Sequence, residues 1–218
     1  MIMKNTFSAK VMLGTLLLGT ALAVTAAPAA NPQPMHVDMV TNPELNDQVI
    51  MDAADIDGDL EAWWDIGVKY QTGDGVKKDL KMAIKWFEKA ASRNYDNALV
   101  SLGDLYYKGE GVKQSYKKAF ELYSRALRRE IPSAQYRLGL CCYYGRGTKQ
   151  DKKAAAEWFK KAVAQVDPEA EYMLGVCYEK GEGVKKDLQK AKACYKNAAE
   201  ADIKEAKEAL KRLKKANK

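Results

Sequence analysis

The sequence predicts an all-α fold, a solenoid of antiparallel helix pairs, and three observations predict it. Gly67, Gly103, Gly139 and Gly175 stand 36 residues apart. The turn pairs Gly73/Gly75, Gly109/Gly111, Gly145/Gly147 and Gly181/Gly183 keep the same register, as do Ala83, Ala119, Ala155 and Ala191, and Ala90, Ala126, Ala162 and Ala198. Between these markers apolar residues recur at helical spacing: Ala134, Leu138, Gly139 and Cys142 share one face, and Ala155, Trp158, Phe159 and Ala162 share another. Self-similarity at this period marks units too small to bury an apolar face alone, which gain a core only by stacking on their neighbours. Function is therefore expected on an extended surface rather than in a pocket.

Taken from the N-terminus, residues 1–27 read as a signal peptide: Lys4 and Lys10, an apolar run from Val11 to Val24, then small residues, with cleavage at about 26–30. The apolar run is too short for a membrane span. The mature protein is expected in the periplasm, or secreted. A linker (28–42) precedes a degenerate helix (43–58) opened by Asn42, whose Ala54 sits 36 residues before Ala90 and which reads as an N-terminal cap. Four full units follow, at about 59–94, 95–130, 131–166 and 167–202. A last helix (203–218) carries Lys207, Lys211, Arg212, Lys214 and Lys215, a basic end-cap for an apolar face with no further neighbour.

Within a unit the glycine pair ends the first helix, because the chain must turn there with positive φ. Asp79, Ser115, Asp151 and Asp187 then fall just before each second helix, where a side-chain oxygen can accept from free backbone N–H groups. Asp167-Pro168 places a capping residue ahead of a proline in the first turn and marks the start of the fourth unit. The recurrent Ala and Gly positions let paired helices approach closely.

From about Asp59 to Ala209 these residues resemble the Sel-one-like repeats, a subclass of the tetratricopeptide-like (TPR) helical repeats. The pattern A-x-x-x-L-G-x-x-Y-x-x-G-x-G-V-x-K-D-x-x-K-A-x-x-W-F-x-K-A is nearly spelled out by Ala98–Ala126 and again by Ala170–Ala198. The resemblance implies a right-handed superhelix used for protein–protein contact. One branch, the Helicobacter cysteine-rich proteins, joins successive helices by disulfides. Here the corresponding positions are Ala90 with Ala98, Ala126 with Ala134, and Ala162 with Ala170, so the β-lactamase-like activity attributed to that branch transfers poorly.

Four cysteines in an exported chain raise the question of bridges. Cys141 and Cys142 are adjacent on one helix and point apart. The four read either as buried free thiols or as including one bridge between units, with Cys142 and Cys177 the first pair to consider. A metal site is not expected, since the single histidine, His36, lies in the linker, and no C-x-x-C spacing occurs. Asp55-Ile56-Asp57-Gly58-Asp59 fails as a calcium loop, because Gly58 at loop position six would put Ala53 at the first position and Trp64 at the last. No cofactor is expected. Without a histidine in the repeats, Ser–His and Cys–His pairs cannot form there. An acid stands between the glycines of Gly109-Glu110-Gly111 and Gly181-Glu182-Gly183, which does not suit phosphate.

Charge is divided unevenly. Residues 31–62 hold eight acids and no Lys or Arg, whereas 63–218 carries 34 basic against 21 acidic side chains, a net of +13. That balance suits an acidic partner segment or an anionic envelope surface. Lys77, Lys78, Lys113, Lys185 and Lys186 recur with the repeat and read as solvating the turns. Export disfavours nucleic acid as a partner.

The resemblance puts the first helices on a concave face. Its side chains would be Trp64, Val68, Asn97, Val100, Asp104, Tyr107, Lys108, Tyr136, Leu140, Tyr143, Tyr144, Tyr172, Val176 and Lys180. Tyr and Trp offer large contact area at little rotamer cost and suit an interface. Tyr70, Tyr106, Tyr178, Trp86, Phe87, Trp158 and Phe159 read as packing residues. The expectation is a monomeric, non-enzymatic scaffold of the envelope that holds a segment of a partner protein. The alternatives are a weak hydrolase of cell-wall or β-lactam-like compounds, and adhesion to anionic surfaces.

Overall fold

The computed structural model describes residues 59–216. The expected cap helix at 43–58 and the signal-like segment lie outside the described residues. Nine α-helices and no strand occur among the described residues: α1 (Leu60–Thr72), α2 (Leu80–Ser92), α3 (Asp96–Lys108), α4 (Tyr116–Arg125, prolonged by a 3-10 turn over Ala126–Arg129), α5 (Pro132–Tyr144), α6 (Lys152–Val163), α7 (Pro168–Lys180), α8 (Leu188–Glu200) and α9 (Lys204–Ala216). Each helix packs mainly on its neighbours in sequence, so the architecture is a helical solenoid.

Local chemistry sets the helix starts. The four second helices are capped by Asp79, Ser115, Asp151 and Asp187, each in extended backbone and each accepting from N–H groups of the first turn. The first helices begin after Asp59, Tyr95, Ile131 and Asp167. Only the two aspartates cap with a side chain, Asp59 accepting from Glu61 N at 3.0 Å and Asp167 from Ala170 N at 2.7 Å. The connection from each second helix to the next first helix passes through one residue with positive φ: Asn94, Glu130, Val166 or Asp202.

Two glycine positions explain the repeat. A Cβ on Gly103 would lie 2.5 Å from the Tyr123 ring, which is fully buried, so the glycine is the notch that receives an aromatic side chain from the paired helix. Phe87, Phe159 and Tyr195 fill the same notch in the other units. Burying each ring contributes about 1.5–3 kcal/mol. Gly183, at φ +74°, ends a turn pressed onto the backbone of Lys152 in the preceding unit, leaving no room for a side chain.

The core runs along the stack as three successive clusters, from Trp63 to Cys141, from Cys142 to Cys194, and from Ala191 to Leu213. The end helix α9 buries Ala206, Ala209 and Leu213 and leaves its Lys and Arg residues exposed, as a capping helix must. All four cysteines are free and buried. The bridge considered between Cys142 and Cys177 is therefore not formed: Cys142 takes the register place of Tyr106 and Tyr178, Cys177 that of Leu105, and both serve as small apolar packing groups of the second cluster.

Candidate functional site, the first-helix face

α1, α3, α5 and α7 carry the side chains expected to meet a partner, and the structure sorts them into four groups. Val100 and Tyr143 are buried, at 8% and 4% exposure, and belong to the core instead of the open face. Trp64, Asp104 and Tyr107 are half-buried and bonded across units. Trp64 Nε1 donates to Ser101 Oγ at 2.9 Å. Val68, Tyr136, Leu140, Tyr172 and Val176 are half-buried, whereas Asn97, Lys108, Tyr144 and Lys180 are exposed, Tyr144 at 49%.

Two links between units recur at fixed offsets. Tyr107 accepts from Arg146, and Tyr143 donates to Glu182; in each case the partner lies 39 residues on, between the glycines of the next unit's turn. Burial pushes the Tyr143 hydroxyl up, and the carboxylate it donates to pushes it further. That hydroxyl's bond holds Glu182 below the usual carboxylate range, against the opposing effect of burial, and Lys152, with Nζ 3.5 Å away, adds to it. Lys152 also sits 3.2 Å from the centroid of the Tyr143 ring.

The second link joins a tyrosine, an acid and an arginine. Tyr123 donates to Asp104 Oδ1 at 2.6 Å, while Arg137 on the following first helix binds the same carboxylate with both arms, at 2.6 and 2.8 Å. At the C-terminal end Tyr195 donates to Glu179 at 2.7 Å and Arg212 to the same oxygen at 2.8 Å. The tyrosines are register equivalents, while acid and arginine move together by three residues, one helical turn. Burial alone would raise Glu179; the Tyr195 hydroxyl and the Arg212 guanidinium outweigh it and hold the carboxyl low.

What stays open centres on Tyr144. Its ring meets Tyr143 edge-on at 4.9 Å, and the Arg146 guanidinium lies 5.0 Å from it while facing Tyr107 and Tyr116 at 5.2 and 5.3 Å. Beside this cluster Tyr136 packs on Phe159 and Tyr172 on Tyr195. Burial raises the Tyr136 hydroxyl to about 12, so it stays a neutral donor at ordinary pH. The face can offer aromatic area, neutral hydroxyls and stacked cations, Arg146 on Tyr144 and Arg137 on Tyr136. Sequence reasoning gave Arg137, Arg146, Glu179 and Glu182 no place on this face; the shared offsets of 33 and 39 residues are the signal that would have found them. Among the described residues no cluster of His, Cys, Asp and Glu has metal-holding geometry, and no helix is long and apolar enough to cross a membrane.

Comparison with known proteins adds the following. The family model described as Sel1 repeat matches residues 62–95, 97–130, 132–167 and 168–203. No curated protein matches. Among solved structures, the chain is similar to c5321, described as a protective antigen present in uropathogenic Escherichia coli strains displaying an SLR fold: 34% identity, 73% of this chain and 33% of that one, TM-score 0.64. It is also similar to a Sel1 repeat protein from Oxalobacter formigenes, with 31% identity over 77% of this chain and 66% of that one, TM-score 0.71. The chain thus spans a third of the first protein and just under two thirds of the second.

Proposed function

We propose that this chain, which belongs to the Sel1 repeat family, is a protein-interaction scaffold of the bacterial envelope that holds an extended partner segment along its first-helix face. Members of the family generally work as scaffolds for protein–protein contact, which is the broad class supported here. The finer reading rests on one observation: Tyr144 is half exposed although its neighbours Tyr107, Tyr143 and Arg146 are all committed to links between units. A large aromatic side chain on a rigid, cross-braced support is the usual anchor of an interface. Val68, Tyr136, Leu140, Tyr172 and Val176 extend the apolar strip on either side, and Lys108 and Lys180 suit an acidic segment.

On this reading the protein performs no catalytic step. The acids of this face, Asp104, Glu179 and Glu182, are each bonded to a tyrosine and a cation. Export completes the proposal, on the strength of the signal-like residues 1–27; sequencing the N-terminus of protein purified from the envelope should find it beginning near residues 27–31.

The test places a photo-crosslinking side chain at position 144 in producing cells, with the same group at exposed Ala193 on α8 as control. A defined partner crosslinked from position 144 and not from 193, and lost from affinity capture by Tyr144→Ala, is the expected result. Equal crosslinking from both positions, or capture that Tyr144→Ala leaves unchanged, refutes the site.

A further inference from the structure

Away from the first-helix face, an open cleft of about 440 Å³ lies where the third unit meets the fourth, lined by Lys160 of α6, Tyr178 of α7, the turn Gly183–Lys186, and Asp187 and Lys190 at the start of α8. Four of its side chains are lysines. The repeat pattern itself names lysines at the places of Lys186 and Lys190, and the place of Lys185 holds a lysine in every unit, but the pattern does not bring all four cations together. At the junction of the second and third units the register equivalents are Ser124, Lys149, Gln150 and Ala154, and at the junction of the first and second they are Glu88, Lys113, Gln114 and Lys118. One place thus has a single cation, the next two cations and an acid, and only the last has four cations.

Local acids offset only part of this charge. Asp187 gives one oxygen to the N–H groups of Gln189 and Lys190, both at 3.0 Å, and its other oxygen is 4.0 Å from the Lys190 ammonium. Lys160 is bonded to Glu157 at 2.8 Å, a pair largely in solvent. Counting both acids, the cleft keeps a surplus of two positive charges. Ammonium groups on long stems act as adjustable point charges, and several converging on one recess match the spread charge of a phosphate better than a single carboxylate. The ring of Tyr178, 5.5 Å from the Lys190 ammonium, gives the recess an aromatic wall and keeps it from being a mere tuft of surface lysines.

We infer that this cleft is a binding site for a phosphate-bearing anion, separate from the partner face. The phosphate could be presented on a lipid headgroup or on a soluble or polymeric phosphate. Isothermal titration of the full chain with inorganic tripolyphosphate tests the inference, comparing wild type with Lys185→Ala/Lys186→Ala/Lys190→Ala and with Lys77→Ala/Lys78→Ala/Lys81→Ala. The second triple removes the same charge from the first unit and leaves the cleft intact. One equivalent bound by wild type, an affinity loss of at least about tenfold in the cleft triple, and near-wild-type affinity in the control are expected. Competition by phosphatidylglycerol vesicles would assign the phosphate to a headgroup, and no competition to a soluble or polymeric source; both support the site. No binding by wild type, equal weakening in the two triples, or equally tight binding of polyglutamate overturns it.

Discussion

Arg137 on α5 grips Asp104 on α3 through two parallel bonds, Nε to Oδ1 at 2.6 Å and Nη2 to Oδ2 at 2.8 Å, and so ties one unit's first helix to the next. Both side chains are mostly covered, at 31% and 20% exposure. Arg137→Met should therefore destabilise the protein by about 2 kcal/mol, since it leaves a covered carboxylate with only the Tyr123 hydroxyl. The matching change at the chain end, Arg212→Met, should cost about 0–1 kcal/mol because Arg212 is 63% exposed. Urea unfolding of the two variants compares the links directly; equal losses would mean that the bidentate grip adds nothing.

Glycines with the same φ should respond very differently to alanine. Gly75, at φ +72°, has open space around its missing Cβ, so Gly75→Ala should cost only the left-handed penalty of about 1 kcal/mol. Gly183, at φ +74°, abuts the Lys152 carbonyl, and Gly183→Ala should exceed about 3 kcal/mol or separate the fourth unit from the third. Chemical denaturation read by near-ultraviolet circular dichroism distinguishes these outcomes.

Val166 holds a left-handed conformation, φ 63°, while 88% exposed. A branched side chain gains nothing there and pays in sterics, whereas the equivalent places carry Asn94, Glu130 and Asp202. Val166→Asn should stabilise the fold by about 0.5–1 kcal/mol and raise Tm by roughly 1–4 °C. A lowered Tm would show that the valine makes a contact worth more than its strain.

Burial pushes Cys177 up to about 11 and Cys141 and Cys194 to about 12. At about pH 8 no more than about one such thiol in a thousand is ionised, and the sulfurs are also covered. The native protein should take up iodoacetamide slowly, then react at four sites once denatured, as mass spectrometry would count. Two denatured sites instead of four would reveal a bridge.

Glu182 gives the acid limb of stability a definite sign. Its carboxyl is held below the ordinary 4.5 by the bond from Tyr143, against burial and with help from Lys152. A depressed folded value contributes stability that is in place above the unfolded value and is lost as the pH falls through the folded one. Wild type should therefore lose urea resistance between about pH 5 and about pH 3 more steeply than Glu182→Gln. Parallel acid limbs would remove Glu182 from the account.

Much of this fold was legible because its determinants are local or strictly periodic. The caps at Asp79, Ser115, Asp151 and Asp187 act within one turn of themselves, and the Gly103–Tyr123 notch repeats at every unit. The face was less legible. Helical periodicity places Tyr107, Tyr143 and Asp104 on α3 and α5 but says nothing about what the next unit brings against them, and the structure spends all three on links across units. Tyr144 stands next to Tyr143 in the chain, meets its ring edge-on and remains half exposed. The Lys160 cleft escaped for a related reason: Lys185 and Lys186 look like turn solvent until Lys160 is folded beside them.

A phenol can both give and receive a proton bond, and the contacts between successive units exploit this: Tyr107 receives from a cation at one joint, and Tyr143 gives to an anion at the equivalent place of the next. At these two bends the middle residue of Gly-x-Gly thus changes sign, from Arg146 to Glu182, while the link to the preceding unit is kept. Where a tyrosine faces the bend, that edge of the ribbon can carry either charge with its mechanical continuity preserved.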